Sequence, residues 1–163
     1  MMKSTFKTLL ASAILTTPML FGSVQAHDAE EASLFNRLGG PDKIRVIVED
    51  TYHNHVTNPI IRDRFVDSDH AAVKQKVYEI FAAATGSEEI EYTGRDMKTT
   101  HRTMNINEME FNAVVDDVMA ALEKNGVGQQ EKNEVLAILW SVRGDIVNPN
   151  ITTQALTDSE SSE

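Results

Sequence analysis

Cysteine is absent from these 163 residues. That removes disulfide bridges, iron–sulfur clusters, cysteine zinc sites, thiolate-ligated haem and covalent C-x-x-C-H haem attachment in one step. Stability has to come from an apolar core or from a group bound within it. Basic charge is short as well: 15 Lys and Arg stand against 25 Asp and Glu, a formal net charge of −10. Such a surface repels phosphate backbones and anionic lipid, which argues against nucleic acid and acidic membranes as partners. The apolar run from Leu9 to Gly22 is too short for a comfortable bilayer span and is interrupted by Thr16, Thr17 and Pro18. The chain has no internal repeat and no period-two strand pattern. What remains is helical periodicity, and the predicted class is all-α.

The first 26 residues read as a secretory signal. Lys3 and Lys7 make a basic start, Leu9 to Gly22 an apolar stretch, and Val24-Gln25-Ala26 a small-residue cleavage site. Retention as an uncleaved anchor is the alternative. Cleavage near Ala26 would remove two lysines and no acid, leave His27 as the first residue, and deliver the chain to an exported, periplasmic location free of the membrane. The expected organisation is a signal over 1–26, an acidic segment over 27–33, one domain over 34–148 and a disordered acidic tail over 149–163.

Within the domain, Leu34 to Leu38 is a helical turn stopped by Gly39-Gly40, and Pro41 restarts a helix. Ile44, Val48, Tyr52 and Val56 then recur every fourth residue, with Ile47 and Thr51 beside them, predicting an amphipathic helix over 41–57 that ends at Asn58-Pro59. A helix over 71–84 carries Val73, Val77, Ile80, Phe81 and Ala84 on one face. Gly86 to Gly94 is turn-rich, and a short helix near 95–103 holds Met97 and His101 four residues apart. Asn107-x-x-Glu110 reads as a capping box opening a long helix with Phe111, Val114, Val115, Val118, Met119 and Leu122 inward, closed by Gly126. The last helix is expected over 129–147, burying Val135, Ile138, Leu139, Val142 and Ile146.

His101 is the residue with the sharpest chemistry. It lies among Met97, Met104, Ile106 and Phe111, and an imidazole framed by apolar side chains suits the protein-held side of a haem iron. A satisfied core histidine fits that spacing too. Tyr52 puts the one hydroxyl donor on an otherwise aliphatic face, where a buried phenol needs a partner. Of the other histidines, His53 and His55 are expected at the surface and His70 at the opening of the helix that carries Val73.

Five motifs stand in register: Leu34-Phe35-x-Arg37-Leu38-Gly39-Gly40; Val46-Ile47-Val48-Glu49-Asp50-x-Tyr52; Phe65; Tyr92-Thr93-Gly94-x-x-Met97-Lys98-x-x-His101; and Glu110-Phe111-Asn112-Ala113-Val114-Val115. With them the chain resembles the truncated haemoglobins, most closely the group I branch, over roughly Leu34 to Asn148. The resemblance implies two helix pairs crossed over each other around a non-covalent haem b. It implies His101 as the proximal iron ligand, Tyr52 as the distal hydrogen-bond donor to a bound gas, and Phe65 as the aromatic against the haem face. Val73, Val77, Phe81, Tyr92, Met97, Lys98, Met104, Ile106 and Phe111 would complete the cofactor site, with Lys98 and Arg95 placed for the propionates. The chain departs from the family where Val73 and Val77 replace positions that often carry glutamine or another polar residue, and where Gly86-Ser87 replaces a second Gly-Gly. Tyr52 would then be the one strong distal donor unless Lys76 swings inward.

The function so implied is reversible binding of O₂, and of NO or CO, with NO dioxygenation to nitrate as the enzymatic extension. Turnover would need an exported electron donor. A monomer or weak homodimer is expected. Two other classes remain open at this point: a globin-shaped sensor or interaction module without haem, and metal chelation by His27 with the acidic residues that follow it.

Overall fold

In the computed structural model, residues 32–151 are described. The expected signal over 1–26, most of the acidic segment and most of the tail lie outside them. The described chain forms α1 (Leu34–Arg37), α2 (Gly40–Thr57), a 3-10 turn (Arg62–Arg64), α3 (His70–Ala84), α4 (Met97–His101), α5 (Glu108–Lys124), α6 (Gln129–Ser141) and α7 (Arg143–Ile146). Among these residues there is no strand, and a lone bridge joins Ile106 to Val147. The fold is an all-α two-over-two arrangement: the pairs α2/α3 and α5/α6 cross where α2 packs on α5.

Local sequence explains where each helix starts. Gly39 and Gly40 adopt φ of +102° and +70°, a region that side chains with a Cβ avoid; the chain turns there and Pro41 opens α2. The Asp69 carboxylate accepts from the N–H groups of Ala71 and Ala72 at the start of α3, and Asp96 accepts from Thr99 N–H at the start of α4. α5 begins in the predicted capping box: Glu110 N–H donates to Asn107 Oδ1 at 2.9 Å, and Asn107 N–H donates to Glu110 Oε2 at 3.0 Å.

The buried stripe of α2 is Ile44, Ile47, Val48, Thr51, Tyr52 and His55. This corrects the surface placement of His55. Every-fourth spacing drifts about 40° per step around a 3.6-residue helix, so by the third step the stripe has moved from Val56, which is half-buried, to His55. The last helix is also corrected. It breaks at Val142, whose N–H bonds back three residues to Leu139, and α7 restarts at Arg143. The break turns Arg143 onto Glu108 and sets Ile146 and Val147 against Phe111 and Ile106.

The core has two parts. Leu34, Phe35, Leu38, Ile44, Ile47, Val48, Tyr78, Ala82, Val118, Leu122 and Val135 form the larger cluster. Ile106, Phe111, Val115 and Val147 form the smaller. Half-buried Met119 and Leu139 touch both. The face of α3 expected to point inward is half-buried at Val73, Val77, Ile80 and Phe81, and Ala84 on that face is exposed. The helix instead buries Tyr78, Glu79 and Ala82. On α6 the expected inward residues other than Val135 are likewise half-buried.

Candidate functional site

His101 ends α4, a helix of five residues. Its Nδ1 lies 2.8 Å from the carbonyl oxygen of Met97. A carbonyl only accepts, so Nδ1 carries a proton, and the neutral form of the ring has its lone pair at Nε2. No hydrogen bond to Nε2 occurs among the described residues. A histidine whose one nitrogen is anchored to backbone and whose other is free as a base has the form of a metal-ligating imidazole. Near it in sequence, Met97 and Met104 are half-buried, and Ile106 and Phe111 are buried in the smaller core cluster. Lys98 and Arg95 are exposed, as propionate partners would be. The Arg95 carbonyl is used locally, accepting from Tyr92 Oη at 2.8 Å. That bond folds the Tyr92 side chain over Gly94, where an added Cβ would clash with the phenol.

On α2, Tyr52 is only 7% exposed. Phe65, at the end of the 3-10 turn, meets it edge-on with ring centroids 5.6 Å apart. Phe65 is itself stacked on His55 at 5.6 Å and 17°. His55 Nδ1 donates to Asp117 Oδ2 at 2.8 Å, and Asn58 and Asn54 donate to the same aspartate's other oxygen and carbonyl. Burial holds the His55 imidazole below its ordinary range, with Asp117 opposing that shift. The buried His55–Asp117 pair thus ties α2 to α5 and supports the aromatic that faces Tyr52. Sequence reading missed it, although the α2 stripe extended by its true period would have exposed it.

The Tyr52 hydroxyl is engaged. Its Oη stands 2.6 Å from Nδ1 of His70, the exposed first residue of α3. Val73 and Val77 continue along α3, half-buried, so the distal helix offers apolar side chains at those two positions. Lys76 does not turn inward. Its ammonium binds Glu79 Oε2 and Thr93 Oγ1. Glu79 also accepts from Gln75, from the Thr93 hydroxyl and from Thr93 N–H, and Lys76 first and these partners after it lower the carboxyl to about 2. The loop that leads to α4 is therefore fastened to α3 by one carboxylate.

A third linkage joins the connection before α3 to the segment between α4 and α5. Arg64, next to Phe65, donates to Glu110 at 2.7 Å and 2.6 Å and to the Met104 carbonyl at 2.8 Å. Glu110 therefore serves both the capping box and Arg64. The described residues hold an imidazole anchored through Nδ1, a buried phenol, and half-buried apolar side chains on α3 and α6 beside a core in two parts. Those features suit a flat, apolar, iron-bearing ring.

The chain matches the bacterial-like globin family over residues 33–148. It is 32% identical over 118 residues to a group 1 truncated hemoglobin of Mycolicibacterium paratuberculosis, covering 72% of this chain and 86% of that one. It is 27% identical to a group 1 truncated hemoglobin of Chlamydomonas moewusii, covering 71% of this chain and 68% of the relative. Among solved structures, a 2/2 hemoglobin from a Synechococcus species, described in the cyanomet state with covalently attached heme, aligns with a TM-score of 0.67 and 28% identity over 72% of this chain and 99% of its own.

Proposed function

This chain belongs to the bacterial-like globin family, whose members bind small gases at haem, and we propose that it holds a non-covalent haem b through His101 and reversibly binds O₂, NO or CO. The observation that carries the reading is the Met97 carbonyl bond to His101 Nδ1, which leaves Nε2 as the base that ligation requires. Haem iron, when bound, supplies the gas-binding position and the redox chemistry. The chain's own residues do the rest. Met97, Met104, Ile106 and Phe111 keep water from the imidazole. Phe65, braced by His55, fixes the distal side. Val73, Val77 and Phe81 line it without donors, and Tyr52 supplies the hydroxyl that can be shared with a gas. With Tyr92, Lys98 and Arg95 at the exposed margin, the acidic groups of the ring have cationic neighbours.

Binding needs no further partner. Oxidation of NO to nitrate consumes one O₂, one NO and one electron per turnover, so an exported chain would need an electron donor of its own compartment. We favour binding over rapid turnover for that reason. Export itself, through a signal over 1–26, and a monomeric or weakly dimeric state belong to the same proposal. The absence of cysteine rules out a thioether link to the ring.

The test is an absorption titration of the chain with haem, in ferric, ferrous and CO-bound forms. A sharp Soret band at one haem per chain, shifting with CO and lost in His101→Ala, is the expected result. Stoichiometric uptake that survives His101→Ala with an unchanged spectrum would remove His101 as the ligand, and no uptake at all would remove the haem reading.

A further inference from the structure

We propose that His70 is a positioning residue for the distal site: through its bond to Tyr52 it decides whether the buried phenol can donate to a bound gas, and so makes ligand retention depend on proton uptake by a solvent-exposed imidazole. This rests on the haem reading above and concerns the same site.

The argument begins with the donor count. A phenol has one O–H and can donate one hydrogen bond at a time. Tyr52 is buried, and its Oη meets His70 Nδ1 at 2.6 Å, a distance short enough for a strong bond. No other hydrogen bond of this hydroxyl occurs among the described residues. With neutral imidazole, Nδ1 is the acceptor the phenol needs, since a phenol is the better donor of the two and a buried hydroxyl without an acceptor is costly. The O–H is then spent on His70 and unavailable to a gas. Protonated imidazole reverses the bond. Nδ1–H donates to the phenol oxygen, and the phenol O–H is free to turn to a bound gas. Val73 and Val77 offer no substitute, and Lys76 is held by Glu79 and Thr93. The distal site therefore has one donor, controlled by one imidazole.

The surroundings let that imidazole exchange protons. His70 is exposed at the start of α3 and lines a cavity of about 180 Å³ with Val56, Arg62, Phe65 and Val66. Its ring also meets the Tyr52 ring edge-on, at 5.5 Å. From the connection before α3, Arg62 with its ion-pair partner Asp63 carries charge on this side. From α2 the charged or titratable groups are His55, stacked on the Phe65 that lines the same cavity, and Glu49, the partner of Lys74. From α3 they are Asp69, whose carboxylate caps Ala71 and Ala72, and Lys74, paired with Glu49 and 5.9 Å from the centre of the Tyr52 ring. Histidine as a residue type changes charge between about pH 5 and pH 8, which sets the range to be scanned.

The experiment uses the full haem-loaded chain. O₂ dissociation rate and the C–O stretching frequency of the CO form are followed from pH 5 to 8 in wild type, His70→Ala and Tyr52→Phe. Wild type should release O₂ slowly at the acid end and roughly five- to tenfold faster at the alkaline end, the effect of one hydrogen bond. His70→Ala should stay slow and Tyr52→Phe fast, both without a pH step, and the C–O stretch should follow the same pattern. A second readout needs no gas. Nitrogen NMR of His70, with and without haem, should show the neutral ring protonated at Nε2, and Tyr52→Phe should abolish that preference. A flat profile in wild type, a step that survives in His70→Ala, or a neutral ring protonated at Nδ1 overturns the proposal. If haem is not taken up, both this proposal and the haem reading fall, and the NMR preference then marks a structural Tyr–His bond only.

Discussion

At the scale of single residues, the site depends on side chains that each hold more than one partner, and their titration gives them away. Glu79 is the clearest. Lys76, Gln75 and Thr93 lower its carboxyl to about 2 from an ordinary value of 4.5. A carboxyl depressed on folding adds stability that is complete above pH 4.5 and is lost as pH falls toward 2. Glu79→Gln should therefore lower the melting temperature at neutral pH, with the gap to wild type closing between pH 4.5 and 2. Melting curves across that range check it, and a gap that stays constant with pH would mean that the charge on Glu79 is irrelevant. His55 behaves in the same sense nearer neutrality. Burial disfavours its charged form, so stability present above the ordinary imidazole value of 6.5 is lost as pH falls below it. In His55→Gln the wild-type decline below pH 6.5 should be shallower, as followed by urea unfolding. None of this was legible in the sequence. Glu79 lies on the same helix as its predicted apolar face, and its function depends on Thr93, fourteen residues away across a turn-rich loop.

At the scale of elements, helix starts were legible because capping is local. Asn107 and Glu110 are three residues apart, and the structure pairs them as the sequence implies. Asn107→Ala should cost about 1 kcal/mol. The companion role of Glu110 was not legible, because Arg64 reaches it from a different element, 46 residues away. Arg64→Ala removes charged hydrogen bonds from a carboxylate that is nearly buried, and should cost roughly 2 kcal/mol, more than the loss of the cap itself. Denaturant unfolding of the two variants side by side decides this order. The same distance argument explains the two misread elements. The periodicity of α6 continues past Val142, and what breaks the helix is the docking of Arg143 and Val147 onto the α5 start and the Ile106 loop, neither of which a local window contains. His55 was misplaced because a period of four was followed where the helix turns in 3.6.

At the scale of the molecule, the divided core separates two kinds of apolar residue that look alike in sequence. Ile44, Ile47, Leu122 and Val135 are fully buried, and their environment is complete in the polypeptide alone. Val77 and Phe81 on α3 are half-buried, held on one side by the larger cluster and open on the other. The hydrophobic pattern marks both groups as inward, which is why the fold class and both helix pairs could be read while the line between core and binding surface could not. Truncation should part them. Leu122→Ala should cost about 3 kcal/mol of stability with or without haem, the ordinary penalty of a cavity in a packed core. Phe81→Ala should cost the haem-free chain less, since part of the ring already faces open space, and should cost the haem-loaded chain more, because the lost surface is one that haem would cover. A ligand that binds only the folded state adds stability in proportion to the logarithm of its affinity, so the excess destabilisation of haem-loaded Phe81→Ala should equal its loss of haem affinity. Measuring unfolding of both variants in both forms, with haem transfer to an acceptor as the independent affinity, tests that equality. Equal penalties for Leu122→Ala and Phe81→Ala in the two forms would place the α3 face in the core and leave the proposed haem side of the fold without its wall.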